Sequence, residues 1–206
     1  MDEDAELMLA FGRGDEAAFD RLFSRWGGRL LGYLQRMVSD MATAEELVQE
    51  TFLRVHRARD RYQPEARFST WLYRIATNLA LNELRRPRRK RPHASVDDEQ
   101  APLPLVAGGA GPEALAQARL EARDLERELE RLPERQRMAL WLSAVEGFSY
   151  AEVAEALETS NKSVKSLVHR ARATIAERLQ KASAPRAASN GQDGRRSGQE
   201  KAGEEG

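Results

Sequence analysis

One stretch of the sequence, residues 68–86 (FSTWLYRIATNLALNELRR), constrains the fold more than any other. Its apolar residues recur at the spacing of an amphipathic helix and form one stripe: Phe68, Leu72, Ile75, Ala76 and Leu79. A neighbouring stripe carries Trp71, Arg74, Asn78 and Arg85. The first stripe predicts a buried face. The second stripe offers an aromatic ring, guanidinium groups and a carboxamide. The ring can stack on bases, the guanidinium groups can pair with phosphates, and the carboxamide can form hydrogen bonds with base edges. Spacing alone also allows a solvated helix flank.

The composition favours a protein made of helices alone. Ala, Leu, Arg and Glu dominate the sequence, and alternating β-branched patterns are few. We therefore expect an all-α fold with two small helical domains joined by a flexible linker, the second domain containing a helix-turn-helix. The expected boundaries are 1–92 for the first domain, 93–112 for the linker, 113–182 for the second domain and 183–206 for a disordered tail.

Several classes of function are excluded by what the sequence lacks. No apolar run approaches the roughly 18 residues of a membrane span, so we expect no membrane insertion. The acidic N-terminal segment has no apolar core, so it does not resemble a secretory signal. The chain has no cysteine, which fits a reducing, cytoplasmic location. The histidines of the chain stand singly in the sequence. We therefore predict no catalytic residues, no metal site and no cofactor, and we expect that the protein is not an enzyme.

The net charge of zero hides blocks of opposite sign. Residues 61–92, which end in the basic run PRRKR, carry a formal charge of +7, whereas residues 93–134 carry −6. A basic segment directly behind the second stripe favours contact with a polyanion.

The first domain should begin with helices over about Asp4–Phe11 and Glu16–Val38, with Phe23 among the core positions of the second. The next helix should start at a capping box formed by Thr43 and Glu46. Its solvent side carries Glu46, Gln49, Glu50 and Leu53. An apolar side chain among acidic and amide groups is typical of a partner-docking face, although single exposed leucines are also common.

The second domain ends in a short helix, a tight turn and a longer helix, which is the helix-turn-helix pattern. Ser160 is a good N-cap for the longer helix. The exposed side of that helix carries Lys162, Lys165, Ser166, His169 and Arg172. Basic and hydroxyl groups near the start of a second helix are typical of DNA reading, although a basic helical pair also arises by chance.

These segments together resemble the extracytoplasmic-function sigma factors of bacterial RNA polymerase. The resemblance covers about residues 4–182 and is carried by AEELVQETFLRVHRARDRY, by the 68–86 stretch, and by LPERQRMALWLSAVEGFSYAEVAEALETSNKSVKSLVHRAR. It implies a sigma factor that directs the polymerase to promoters and assists promoter melting. It also implies RNA polymerase core enzyme and promoter DNA as partners, and it admits an anti-sigma factor.

The resemblance also implies roles for individual residues. Core polymerase should contact Glu46, Gln49, Glu50 and Leu53. The melted −10 element, with one unstacked base, should contact Tyr62, Arg67, Trp71, Arg74, Asn78 and Arg85. The −35 element should contact Lys162, Lys165, Ser166, His169 and Arg170.

Two positions depart from the family pattern. Glu158 stands where relatives often have a glycine that ends the first helix of the pair, so the turn should be less tight. Leu167 stands where many relatives have a basic residue, and it should pack rather than read DNA. Both affect the −35 sequence that the protein selects.

Two other classes of protein remain open on the sequence. A stand-alone helix-turn-helix regulator would bind duplex DNA without polymerase, usually as a symmetric dimer. A structural adaptor would use its helices for protein contacts and leave its basic run solvated.

Overall fold

A computed structural model describes residues 2–86 and 122–183, and within these ranges the chain forms helices and turns with no β-strand. The first part contains four α-helices and a short 3₁₀ turn: α1 Glu3–Gly12, α2 Glu16–Val38, α3 Met41–Ala58, the turn Arg59–Arg61, and α4 Phe68–Arg85. The second part contains α5 over 122–130, α6 Glu134–Ala144, α7 Tyr150–Ala156 and α8 Asn161–Ser183. The all-helical, two-domain prediction is confirmed.

The core of the first part lies between α2, α3 and α4. The stripe predicted from Phe68 to Leu79 is buried or packed against this core, and Tyr33 on α2 is completely buried. The Tyr33 hydroxyl lies 2.8 Å from Thr77 Oγ1, so the one polar group of that ring is satisfied inside the core. The predicted stripe of α4 is therefore explained by packing in the core, and Trp71, Arg74 and Asn78 stay partly exposed.

Asp2 caps two helices at once. Its Oδ1 accepts a 3.4 Å hydrogen bond from the amide of Asp4 in α1, and its Oδ2 accepts a 2.9 Å bond from the amide of Phe68, the first residue of α4. Arg67, at the N-cap position of α4, makes no side-chain capping bond. The orphan amide at the start of α4 is thus satisfied by a residue from the other end of the domain.

Two local expectations for the first domain need correction. The predicted capping box at Thr43 is wrong: α3 begins at Met41, Asp40 is its N-cap, and Asp40 Oδ2 accepts 2.8 Å from the Thr43 amide. Thr43 is instead buried in the first turn of α3, and Ser39 ends α2 in the left-handed region just before Asp40. Phe23 is not a core residue; it is 48% exposed.

The two parts of the chain pack against each other. The ring of Phe148, just before α7, lies 5.2 Å from the ring of Tyr73 on α4. The guanidinium of Arg36 on α2 lies 4.8 Å from the ring of Trp141 on α6. The buried side chains of both parts form one continuous apolar cluster. The helix-turn-helix of α7 and α8 is therefore seated directly on α4.

Some sequence expectations fall on residues that the structure does not describe. They are the linker at 93–112, the basic run after Arg86, the start of the second domain at 113–121, and the tail, except that helix α8 reaches Ser183. The domain boundaries therefore stay predictions. Among the described helices, none combines the length and the apolar character that crossing a bilayer requires.

Candidate nucleic-acid interface

The exposed side of α3 carries the predicted docking surface, which consists of Glu46, Gln49, Glu50 and Leu53. Leu53 is 50% exposed, and Glu46 and Gln49 are exposed beside it. Arg54 Nε donates a 2.8 Å hydrogen bond to Glu50 Oε1, and this bond lowers the pKa of the Glu50 carboxyl. The docking surface therefore presents the apolar Leu53 side chain surrounded by polar and anionic side chains, which suits binding of a protein partner.

Phe23, on the neighbouring helix α2, is a second exposed apolar side chain, and sequence reasoning missed its exposure. Its ring centroid lies 4.8 Å from that of Phe52 on α3, and the space beside Gly27 accommodates the ring. Helical spacing assigned Phe23 to the core because a period of 3.6 residues cannot separate the centre of a buried stripe from its edge. No other signal in the sequence would have found it.

A pocket of about 260 Å³ lies between the loop after α3 and the start of α4. Its wall combines the loop, α4 and one residue of the second domain: Ala58, Arg61, Tyr62, Gln63, Glu65, Ala66, Trp71, Arg74 and Glu155. We call it the loop pocket. Three of the residues predicted to contact the melted strand, Tyr62, Trp71 and Arg74, meet in it, so it combines aromatic surface with a cation.

The aromatic residues of the loop pocket are held edge to face. The Tyr62 and Trp71 ring centroids lie 5.0 Å apart with 63° between the planes, and Phe68 supports Trp71 from the core at 5.8 Å. Tyr62 is 9% exposed, and its hydroxyl has no hydrogen-bond partner among the described residues. Burial raises the pKa of Tyr62 to about 12, so the hydroxyl keeps its proton at neutral pH.

The remaining predicted −10 residues lie outside the pocket wall. Arg67 Nη1 lies 3.3 Å from Glu152 Oε1, and Asn78 Nδ2 donates a 3.2 Å hydrogen bond to Glu158 Oε1. Arg85 is exposed at the end of α4. The structure thus places the six residues along one path on the loop and α4, and two of them are bonded to the second domain.

The helix-turn-helix presents an open groove of about 880 Å³ along α8. We call it the recognition groove; the polar and charged residues that line it are Tyr150, Lys165, Ser166, His169, Arg170 and Arg172. Lys162 is exposed one turn earlier but does not line the groove. The Ser163 amide donates to Ser160 Oγ over 3.2 Å, which confirms the predicted cap of α8. A basic groove beside a capped helix start suits a DNA backbone and base edges.

The two departures from the family pattern have visible structural consequences. Glu158 has φ 49°, so it adopts the left-handed conformation that a glycine would take without strain. Leu167 is partly buried and packs against the core, as expected. The turn of the helix-turn-helix is therefore formed, at the cost of a strained residue.

Comparison with known families assigns both parts of the chain. Residues 22–90 match the family described as Sigma-70 region 2, and residues 122–175 match the family described as Sigma-70, region 4. These ranges contain the docking surface, the loop pocket and the polar and charged residues of the recognition groove.

Individual relatives match nearly the whole chain. RNA polymerase sigma-H factor of Pseudomonas aeruginosa is 34% identical over 184 residues, which cover 87% of this chain and 95% of that protein. The ECF RNA polymerase sigma-E factor of Escherichia coli K12 is 34% identical over 182 residues, covering 86% of this chain and 94% of that protein. A solved structure, CnrH in complex with the cytosolic domain of CnrY, matches with a TM-score of 0.66 and 26% identity, over 88% of this chain and 100% of that one.

The protein therefore belongs to the sigma-70 family, in its extracytoplasmic-function group. The resemblance inferred from the sequence is confirmed.

Proposed function

We propose that this sigma factor, which directs RNA polymerase to promoters, divides its work among three surfaces. The docking surface on α3 would bind the polymerase core. The loop pocket and α4 would hold the melted −10 strand. Helix α8 would enter the major groove of the DNA at the −35 element, and the side chains of the recognition groove would contact it there.

The observation that best supports this division is the loop pocket. Tyr62, Trp71 and Arg74, three of the residues predicted to contact the melted strand, line one cavity. Aromatic stacking contributes about 1–3 kcal/mol per base. That is comparable to the few kcal/mol that unpairing and unstacking a base costs. Strand capture of this kind uses binding free energy, and no covalent step is needed.

The exposed cations along α4 and α8 would provide affinity that does not depend on base sequence. Each Lys or Arg that neutralises a phosphate releases a counterion, so binding should weaken steeply with salt. The two DNA surfaces are small. The polymerase, by fixing both domains at once, would convert two weak contacts into one strong one.

The remaining parts of the proposal concern class and setting. We infer that the protein acts by binding and not by catalysis, and that it works in the cytoplasm, where the polymerase is. We also infer that it accepts an anti-sigma factor. The support is that CnrH, a structural relative, is found in complex with the cytosolic domain of another protein.

In vitro transcription with core polymerase on genomic DNA fragments tests the function directly. We expect specific transcripts that need both the core enzyme and this chain, and mapping their 5′ ends reports the promoter. A 2-aminopurine base in the non-template −10 strand should gain fluorescence on opening. Core enzyme that gives the same transcripts with and without the chain would refute the proposal.

A gel-shift assay separates this function from that of a stand-alone regulator. A sigma factor should shift promoter DNA strongly only when core polymerase is present. A strong, sequence-specific shift by the free chain, unchanged by core polymerase, would favour the regulator.

A further inference from the structure

Helix α1 joins the two ends of the segment that forms one wall of the loop pocket. At its N-cap, Asp2 Oδ2 accepts the 2.9 Å hydrogen bond from the Phe68 amide at the start of α4. At its other end, Gly12 lies against the backbone carbonyl of Arg59, the first residue of the 3₁₀ turn. Between these two points the chain forms the turn and residues 62–67, which we call the pocket loop. A helix of ten residues, about 15 Å long, therefore links both ends of the pocket loop.

The contact at Gly12 leaves no room for a side chain. A Cβ atom added at this position would lie 2.8 Å from the Arg59 carbonyl oxygen, closer than the contacts that Cβ atoms make in real proteins. Inside a helix glycine is less favourable than alanine, because it loses more backbone freedom on folding. The close approach of the turn accounts for a glycine here, and it fixes the point at which the chain leaves α3 for the pocket loop.

Helix α1 is itself held firmly against α2. Its inner face is buried, and Ala5, Met8 and Phe11 are at most 1% exposed. Near its start, Asp4 Oδ2 accepts a 3.1 Å hydrogen bond from Trp26 Nε1 on α2. These contacts do not involve the pocket loop. The position of α1 is thus set by the core, and α1 can transmit that position to the loop.

The pocket loop, by contrast, does little to hold its own shape. Among the described residues its single internal backbone hydrogen bond runs from the Glu65 amide to the Gln63 carbonyl over 2.9 Å. Burial and then the negative charge of Asp2 raise the pKa of Tyr62, which shows that the first loop residue lies within electrostatic reach of the start of α1. The shape of the loop therefore depends on the groups that hold its ends.

We propose that α1 is a brace that sets the shape of the loop pocket, and that Gly12 and Asp2 are positioning residues for base selection in it. Neither residue is among those that line the pocket; they act through Arg59 and Phe68. Holding a loop in its bound conformation reduces the entropy that is lost on binding, and fixed walls decide which base fits between them. Base selection rests on the proposed function for the identity of the ligand, whereas the bracing can be tested without DNA.

Two variants test the brace at opposite ends and by different chemistry. Gly12→Ala puts a Cβ atom against the carbonyl of the turn, and Asp2→Ala removes the acceptor of the first amide of α4. Gly28→Ala is the control for the first variant, because a Cβ atom at this helical position meets nothing within 4 Å. Asp40→Ala is the control for the second, because it removes the cap of α3 at the end of that helix away from the loop. Circular dichroism should show the same helix content for all four variants.

Hydrogen–deuterium exchange read by mass spectrometry reports the bracing in the free protein. We expect peptides that cover residues 59–71 to exchange at least about threefold faster in both brace variants than in the unmodified chain, and peptides of α2 to be unchanged. The two controls should leave exchange over 59–71 as it is. Unaltered exchange there in both brace variants would overturn the proposal, as would an equal rise over all helices, which is ordinary destabilisation.

Base selection separates positioning from stability. Four promoter duplexes differ only in the base at the non-template −10 position to which opening by the unmodified holoenzyme is most sensitive, and opening is followed with a neighbouring 2-aminopurine. A chain that merely folds less well slows all four promoters by the same factor. We expect the brace variants to reduce the ratio of the fastest to the slowest opening rate by at least about threefold, because a small misplacement of the walls weakens discrimination. The controls should keep the ratio.

The two proposals fail in different ways. If no base change in the non-template −10 strand alters opening by the unmodified holoenzyme, the loop pocket does not read a base and the proposed function is refuted, whatever the exchange rates show. If the unmodified holoenzyme discriminates among the bases and both brace variants discriminate equally well, the proposed function stands and the brace is refuted.

Discussion

Arg137 Nη2 donates a 2.7 Å hydrogen bond to the backbone carbonyl of Met37, and this buried bond joins residues 100 positions apart. Met37 lies in the last turn of α2, where carbonyls have no intrahelical partner. Arg137 Nη1 donates a further 2.8 Å bond to the Glu130 carbonyl. Burial lowers the pKa of the Arg137 guanidinium, which shows that removing it from water is costly. One side chain thus ties the second domain to the end of a helix in the first.

We expect Arg137→Met to lower the free energy of unfolding by about 1.5–3 kcal/mol, the usual range for a bond to a charged group. Urea denaturation followed by circular dichroism measures the loss. Arg123→Met, at an exposed position, is the matched control and should change stability little. Equal effects of the two substitutions would mean that the bond to Met37 contributes nothing.

Glu158→Gly should raise the free energy of unfolding by about 1 kcal/mol, because glycine accepts the left-handed backbone without strain. Glu158→Ala removes the same carboxylate and keeps the strain, so it separates the two effects. A thermal melt of the three proteins should place the glycine variant highest. A glycine variant no more stable than the alanine variant would show that the turn is not strained.

Trp71→Ala should slow promoter opening by about 5- to 150-fold, which corresponds to the loss of stacking on one base. Asn78→Ala should also slow opening, through the loss of a hydrogen-bond donor. Neither variant should bind core polymerase more weakly, because α4 is not the docking surface. Opening is measured with 2-aminopurine, and core binding by co-purification. Weaker core binding with normal opening would reverse our assignment of this face.

Leu53→Asp should weaken binding to core polymerase by at least about 30-fold, the effect expected of an anchor residue. Val145→Asp places the same charge on another exposed apolar residue, 41% exposed, and should leave core binding unchanged. Size-exclusion co-elution with core enzyme compares them. Unchanged co-elution of Leu53→Asp would remove the docking surface from the proposal.

Lys165→Ala should weaken −35 binding by the holoenzyme and lower the salt dependence of log K by about 0.9, the loss of one phosphate contact. Lys181→Ala removes an equally charged residue that pairs with Glu177 at the far end of α8. It should have little effect on either quantity. A salt slope that does not change in Lys165→Ala would place this lysine away from the DNA backbone.

Residue spacing predicted the two faces of α4 because helical periodicity is a local property. Phe68 and Leu72 are fully buried, and Trp71 and Asn78 are partly exposed on the other side. Spacing did not reveal that Tyr73 would be buried, because the residue that covers it, Phe148, lies far along the chain.

The contact between Asn78 and Glu158 was beyond sequence reasoning for the same reason, since it joins residues 80 positions apart. The roles of Tyr62 and Arg67 came from family resemblance and not from any pattern in the loop. The start of α3 was predicted wrongly because Asp40 and Thr43 are both good caps. The choice between them depends on where Ser39 ends the preceding helix.

The double cap at Asp2 has a practical consequence. The Asp2 carboxylate holds the start of α4, the helix that carries Trp71 and Asn78. Proteolytic loss of Asp2 would leave the Phe68 amide without this acceptor and loosen the start of that helix, while every proposed DNA-contacting side chain would stay in the sequence. Mass spectrometry should therefore verify that Asp2 is present before differences in promoter opening between preparations are compared.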